Sequence, residues 1–308
     1  MKILNFGSLN IDRVYNVSQF VSEGETILAK SLKIFPGGKG LNQSIAAARA
    51  GASVIHAGAV GPEGEFLVGF LRSNNVNVEN IKRTNEETGH AVIQVNSSGQ
   101  NSIIVYGGAN QLLDDAYIEH ILNCGETGDI VLLQNETNSI GKIIRAAHDH
   151  GLYIVFNPSP FPRNMENIPI ELVDCFMVNE IEGATLAGLS LPIQQELILD
   201  SLIKQYPNSS FVLTLGSKGA IYRSNAECCK HNAFGVQAVD TTAAGDTFCG
   251  YFLAGLCSKK KTIFQCLQEA SAAAAIAVSR AAAAPSIPTY SEVHSFLLSQ
   301  EHNMEIFE

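Results

Sequence analysis

At no point does this 308-residue sequence run to the roughly 18 uncharged apolar residues that a membrane-crossing helix needs. Its first residues, Met1-Lys2-Ile3-Leu4-Asn5-Phe6-Gly7, lack the apolar core of a signal peptide and read as a first strand. A cytoplasmic protein with no membrane partner is expected. Positive charge is scarce as well: 20 Lys and Arg against 30 Asp and Glu leave a formal net charge of −10. Without clustered cations there is little counterion release to drive binding to nucleic acid or anionic lipid. Any phosphate must then be gripped locally, which backbone N–H groups at a helix N-terminus can do without net positive charge. The seven cysteines are odd in number and scattered, with only Cys228 and Cys229 adjacent and no pair at zinc-ligand spacing near histidines. Reduced thiols, mostly buried as small hydrophobes, are expected.

What the chain does have is a hydrophobic fraction of 46%, ordinary for a soluble protein, and enough length for one large domain. Short β-rich runs alternate with amphipathic segments. Strands are predicted at 2–6, 53–60, 129–134, 153–157, 175–179 and 211–215, and helices at 42–50, 65–74, 139–150, 180–186 and 194–206. This is the pattern of an α/β fold, a doubly wound, mostly parallel, Rossmann-like sheet with helices on both faces. Two stretches, about 12–35 and 90–106, break the rhythm and alternate as strands, the second around a hairpin signal at 96–100. They predict a small β-sheet inserted at the edge of a single domain spanning 1–308. It is either a lid or a decorative insert. Residues 262–284 are alanine-rich and predict a closely packed buried helix ended by Pro285 and Pro288.

Three motifs carry chemistry. In Asp240-Thr241-Thr242-Ala243-Ala244-Gly245-Asp246-Thr247-Phe248, after a strand-like run over 235–239, Phe248, Phe252 and Leu256 recur at four-residue spacing. A helix is predicted to start near Gly245, leaving the N–H groups of Ala244, Gly245 and Asp246 free to receive an anion. Asp246 reads either as a first-turn carboxylate that stabilises the helix or as the acceptor of a hydroxyl proton. The glycine cluster Pro36-Gly37-Gly38-Lys39-Gly40-Leu41-Asn42-Gln43 has neither Walker A nor GxGxxG spacing. Its glycines permit close backbone approach, and Lys39 and Asn42 offer donors to a polyhydroxylated ligand. In Gly7-Ser8-Leu9-Asn10-Ile11-Asp12, alternation points Asn10 and Asp12 the same way. Taken singly, each of the last two motifs could be a turn.

In this order and spacing the three motifs resemble the ribokinase-like (PfkB) sugar kinases over nearly the whole chain. The resemblance implies an ATP-dependent phosphotransferase in which Asp246 is the base and Ala243, Ala244 and Gly245 form the anion hole. It implies sugar contacts from Asn10, Asp12, Gly38, Lys39, Asn42 and Glu136, with Asp246. It places the nucleotide against Asn179, Thr214, Gly216, Lys218, Gly219 and Gly245, and sets Glu182 to act on Mg²⁺ through water. A K⁺ site is implied at Asp240, Thr242 and Ser286, with carbonyls near Arg280 and Ala282. The implied acceptor is D-ribose at its 5-hydroxyl, another sugar or a nucleoside being the alternative, and the implied assembly is a homodimer through the lid. Residue by residue, Glu182 could instead be an exposed carboxylate, Lys218 a solvated turn residue and Ser286 a cap. Two departures bear on the nucleotide and the cation: Ala281-Ala282-Ala283 stands where the family has Lys-Gly-Ala, and Ser271 where a histidine is common.

Overall fold

Strand β1 (Ile3–Phe6) is buried along its whole length, as a parallel strand covered by helices on each face must be. The computed structural model describes residues 1–162 and 164–305. Alternate β1 side chains enter two separate cores, Ile3 on one face and Leu4 and Phe6 on the other. The same division holds for β9 (Ile130–Gln134), whose Ile130 and Leu132 oppose Val131 and Leu133. These are the two helix-covered faces of a doubly wound sheet.

Between β1 and β9 the chain forms β2 (Asn10–Asn16), β3 (Ser31–Gly37), β4 (Val54–Ala57), β5 (Ala59–Val60), β6 (Lys82–Arg83), β7 (Gly89–Val95) and β8 (Asn101–Tyr106). After β9 come β10 (Tyr153–Asn157), β11 (Cys175–Asn179), β12 (Ser210–Thr214), β13 (Ala220–Arg223) and β14 (Cys228–His231). The large sheet has the order β14-β13-β12-β11-β10-β9-β1-β4. It is parallel from β12 to β4, and β13 and β14 add an antiparallel edge. A separate four-stranded sheet has the order β3-β2-β7-β8. Its hairpin turns at Asn96, whose side chain accepts from the Ser98 and Gln100 N–H groups, with Gly99 at φ +77°.

Helices α1 (Lys39–Arg49), α2 (Glu65–Ser73), α7 (Ala244–Cys257), α8 (Ile263–Val278) and α9 (Tyr290–Glu305) cover one face. The other face carries α3 (Asp115–Leu122), α4 (Ile140–Asp149), α5 (Glu180–Leu186) and α6 (Gln195–Gln205). Helix α7 is buried from Asp246 to Gly255, and Gly250 sets its approach to α1: a Cβ there would lie 2.4 Å from the Ala46 Cβ. Two helices that close cannot slide without clashing, so α1 and α7 form one rigid unit.

Several local expectations are corrected. The predicted strand over 53–60 breaks at Gly58, where a Cβ would come within 2.6 Å of the Gly7 carbonyl. Residues 235–239 are exposed and form no strand. The alanine-rich helix stops at Val278, well before Pro285, because its last carbonyl is taken by the Val239 and Asp240 N–H groups at 2.8 and 3.1 Å. Of the cysteines, all are free, and only Cys175, Cys249 and Cys266 are fully buried; Cys228 is exposed on edge strand β14.

Candidate active site

Four strands end on polar residues at the same rim of the sheet. Register pairs Asn157, closing β10, with Gln134, closing β9, and Asn179, closing β11, with Thr214, closing β12. The connection from β1 leads outward to β4 while that from β9 leads the opposite way to β10, so the crevice beyond β1 and β9 is the topological switch point where ligands bind in such sheets. Ser8, just past β1, donates its hydroxyl to Glu136, just past β9, and the Lys39 N–H donates to the same carboxylate oxygen at 3.0 Å. Helix α1 begins in this crevice. Gly38, at φ +96°, and Gly40 let it press against Ser8, since a Cβ on Gly40 would lie 2.3 Å from the Ser8 nitrogen.

Strand β2 carries Asn10 and Asp12 from the crevice into the small sheet. Asn10 is oriented by Asn110, whose carboxamide oxygen accepts the Leu9 N–H at 2.9 Å and whose NH₂ donates to Asn10 Oδ1 at 2.8 Å. That leaves the Asn10 NH₂ as the group presented outward. Burial, with the Glu136 and Asp246 charges adding, pushes the Asp12 carboxyl up to about 7. Burial likewise raises Glu136, against the Ser8 hydroxyl and the Lys39 charge. The Lys39 ammonium is held above its usual value chiefly by Asp246, then by Glu136 and Glu182, in opposition to burial. One ammonium thus sits among several carboxylates, which draws their excess charge toward it.

The Asp246 carboxylate lies in the first turn of α7, accepting from the Asn42 amide at 3.0 Å on Oδ2 and from the Gln43 amide at 2.9 Å on Oδ1. It is 7% exposed and lines a polar cavity of ≈ 250 Å³ together with Lys39, Asn157, Asn179, Glu182, Thr214 and Gly245. A second, more apolar cavity of ≈ 390 Å³ runs between the turn after β12 and α8, lined by Gly216, Ser217, Gly219, Phe234, Ser271 and Val278 among others. The two share Thr214, Thr241, Gly245 and Phe248, so they are one cleft with a polar and an apolar end. At their junction stands the N-terminus of α7, entered through Ala243 in the left-handed region (φ +59°) and capped by no side chain. The Ala244 N–H is not free as expected: it donates to the Thr241 carbonyl at 3.3 Å, which leaves Gly245 and Asp246 as the open donors of that turn.

Beside this turn the Asp240 carboxylate ties two segments together. Its Oδ1 accepts from the N–H of Thr242 at 2.9 Å and from its hydroxyl at 2.6 Å, and its Oδ2 accepts the Ala282 N–H at 3.1 Å. Ala282 takes φ +72°, the left-handed conformation a glycine would adopt without strain. Ser286 is buried and donates to the Ala283 carbonyl, while the Arg280 side chain pairs with Glu292. Glu182 is buried, not exposed. With Asn179 it forms a capping box on α5, its Oε2 accepting the Asn179 N–H at 3.0 Å.

The fold therefore gathers Lys39, Asn179, Glu182, Thr214, Gly216, Gly219, Gly245 and Asp246 into the lining of one cleft, with Asn42 bonded to Asp246, Glu136 to the Lys39 N–H, and Asn10 and Asp12 on the adjoining strand. Lys218 is a different matter: it is exposed on its turn and does not line the cleft, where Ser217 does. Reasoning from sequence assigned no role to Gln43, Asn110, Gln134 or Asn157. A polar residue closing an otherwise apolar strand, as in Ile-Val-Leu-Leu-Gln and Tyr-Ile-Val-Phe-Asn, was a usable signal for Gln134 and Asn157. Asn110 has no such local mark.

The chain matches the pfkB family carbohydrate kinase model over residues 1–290. It is 34% identical over 297 residues to the ribokinase of Haemophilus influenzae, covering 94% of this chain and 96% of that protein. Among solved structures, ribokinase from Thermotoga maritima superposes with a TM-score of 0.86 at 32% identity, over 96% of this chain and 99% of the other. Arabidopsis thaliana ribokinase complexed with ribose and ATP gives a TM-score of 0.85 at 30% identity, over 96% and 98%.

Proposed function

Because this chain belongs to the pfkB family of carbohydrate kinases, we propose that it transfers the γ-phosphoryl group of ATP to the 5-hydroxyl of D-ribose, with Asp246 as the base. The observation that carries this reading is the position of the Asp246 carboxylate, at the polar end of a cleft whose apolar end suits a nucleoside. The 5-hydroxyl oxygen forms the new bond to the γ-phosphorus, its proton passes to Asp246, and the bond from that phosphorus to the ADP oxygen breaks. The N–H groups of Gly245 and Asp246 at the α7 terminus receive the developing charge, and the Lys39 ammonium neutralises it further. Asn10, Asp12, Asn42 and Glu136 supply the hydrogen bonds that select a small uncharged sugar.

Mg²⁺ fits as an ion held through water by Glu182, which is buried and lines the polar cavity. It would neutralise charge on the ATP phosphates. K⁺ fits the place where Asp240 draws the 240–242 loop to the turn at Ala282, with the buried Ser286 hydroxyl close in sequence. It would add a fixed positive charge beside the anion-binding turn. The small sheet acts as a lid, since β2 bears Asp12 and would carry it over the sugar, excluding water. Exposed apolar residues on β3 and β8, Leu32, Ile34, Ile103, Ile104 and Val105, support pairing of lids between two copies in a homodimer. Among the described residues no helix is long and apolar enough to cross a membrane, and we place the enzyme in the cytoplasm.

The test is kcat/KM for ribose, deoxyribose, fructose and adenosine measured side by side, with Asp246→Asn as the second arm. Ribose should exceed the others, deoxyribose trailing by about tenfold because a lone pair of the sugar-binding set goes unsatisfied. A higher value for adenosine or fructose overturns the acceptor. Turnover of Asp246→Asn close to wild type removes the base.

A further inference from the structure

The polar residues behind Asp246 form a chain whose direction can be worked out. Gln43 is fully buried, and its Nε2 donates to Asp246 Oδ1 at 2.9 Å and to Asn157 Oδ1 at 3.0 Å. Its Oε1 accepts from Gln134 Nε2 at 2.7 Å, with the Cys249 thiol at 3.6 Å on the same oxygen. A carboxamide can be turned end for end, so its orientation follows only from partners that cannot reverse. Two such partners exist. Asn157 Nδ2 donates to the Met177 backbone carbonyl at 2.7 Å, and Asn5 Nδ2 donates to the Gly40 carbonyl at 2.8 Å. Carbonyls only accept, so both asparagines must show their oxygens to the chain between them. Asn5 Oδ1 then takes Gln134 Nε2 at 3.0 Å, Gln134 offers its other N–H to Gln43, and Gln43 is left with its NH₂ toward Asp246.

We propose that Gln43 is a positioning residue for phosphoryl transfer: anchored through Gln134 to Asn5 on one side and Asn157 on the other, it holds the Asp246 carboxylate fixed in rotation. The inference rests on the reading of Asp246 as the base. Asp246 has a donor on each oxygen, Asn42 on Oδ2 and Gln43 on Oδ1. A carboxylate pinned at both oxygens cannot swing away from the hydroxyl it must deprotonate. The cost of this orientation is visible in Gln134, whose own Oε1 is buried without a protein partner. Were the amide reversed, its oxygen would face the oxygens of Asn5 and Gln43. The relay therefore keeps one acceptor unsatisfied in order to keep every other link donor-to-acceptor.

Three variants and two readouts test this. Gln43→Met keeps the shape and removes the donor: kcat should fall about ten- to a hundredfold, with KM for ribose and ATP within about twofold of wild type. Loss of kcat with KM held is a split that a merely structural role would not produce. Gln134 makes no hydrogen bond to Asp246 and is not itself part of the cleft lining, so its variants separate relay from packing. Gln134→Met leaves Gln43 the Cys249 thiol and should be mild. Gln134→Glu introduces an acceptor that demands the Gln43 NH₂, turning the Gln43 oxygen toward Asp246, and should lose kcat as severely as Gln43→Met. Wild-type kcat in Gln43→Met overturns the proposal, as does a Gln134→Glu no worse than Gln134→Met. If Gln134→Glu fails to fold, the kcat-against-KM split of Gln43→Met decides alone. Asp246→Asn in the same assay keeps the two claims apart. If it is inactive while Gln43→Met is normal, only the positioning role fails; if it is active, the base assignment fails first.

Discussion

The carboxylate of Asp12 fills the space that a side chain at Gly37 would need: a Cβ built on Gly37 falls 2.1 Å from Asp12 Oδ2. The two residues lie on neighbouring strands of the small sheet, with Gly37 paired to Asn10 and Asp12 to Phe35. Glycine is required there for room, since its φ lies outside the left-handed region. Gly37→Ala should displace the Asp12 carboxylate, raising KM for the sugar about tenfold or more while KM for ATP holds, because the lost contacts lie on the sugar side alone. Steady-state kinetics with each substrate varied in turn check this, and an unchanged sugar KM would remove Asp12 from the binding set.

The raised Asp12 carboxyl makes sugar binding pH-dependent. Groups facing it are Glu136 and Asp246, both acidic. Its folded value, about 7, lies above the unfolded one, so its contribution to stability is full below the ordinary Asp range and is lost as pH rises through about 7. Sugar binding runs the other way, because a protonated carboxyl cannot accept from two hydroxyls. KM for ribose should therefore climb as pH falls below about 7, and Asp12→Asn should flatten the profile at a uniformly weak level. A wild-type profile level down to about pH 5 contradicts it.

Beyond its chain neighbours and its own helix backbone, Gly245 has no protein atom within 4 Å of where a Cβ would stand, and it lines both ends of the cleft. Gly245→Ala should accordingly fold with wild-type stability, because the added methyl meets only space meant for ligand. Turnover should nonetheless drop, by about a hundredfold, since the methyl intrudes where the phosphoryl group meets the helix N-terminus. Thermal unfolding without ligand and kcat/KM for ATP are the paired measurements. A variant that is both fully active and stable shows that the phosphates bind elsewhere.

Ala282 sits at φ +72° with its N–H bonded to Asp240. A left-handed alanine costs on the order of 1 kcal/mol, offset partly by the greater freedom of glycine in the unfolded chain. Ala282→Gly should thus be at least as stable as wild type, gaining up to about 1 kcal/mol in denaturant titration. K⁺ should activate both proteins more than Na⁺. Destabilisation by Ala282→Gly would show that no strain resides at this turn, and equal rates in K⁺, Na⁺ and a bulky organic cation would remove the cation from the reaction.

Local pattern alone was enough for the elements that carry most of the chemistry. The four-residue spacing of Phe248 and Phe252 located α7, and with it Asp246 in the first turn. The run from Asn96 to Gln100 located the hairpin of the small sheet, and apolar runs ending in a polar residue located the strands of the large one. These features repeat over a few residues, and neighbouring side chains are enough to encode them. Which first-turn amides are open was set by the turn itself, in which Ala243 is left-handed and the Ala244 N–H reaches the Thr241 carbonyl three positions back, a conformation that residue spacing does not reveal. Tertiary structure alone decided where α8 stops, since the groups that end it belong to residues 239 and 240 on another segment. Gln43 and Asp246 stand 203 positions apart and Asn110 and Asn10 stand 100 apart. No periodicity relates such pairs. Their hydrogen bonds exist because α1 packs on α7 through Gly250, and because the turn after β8 meets the end of β1, and each donor finds its acceptor only once water has been excluded from between them.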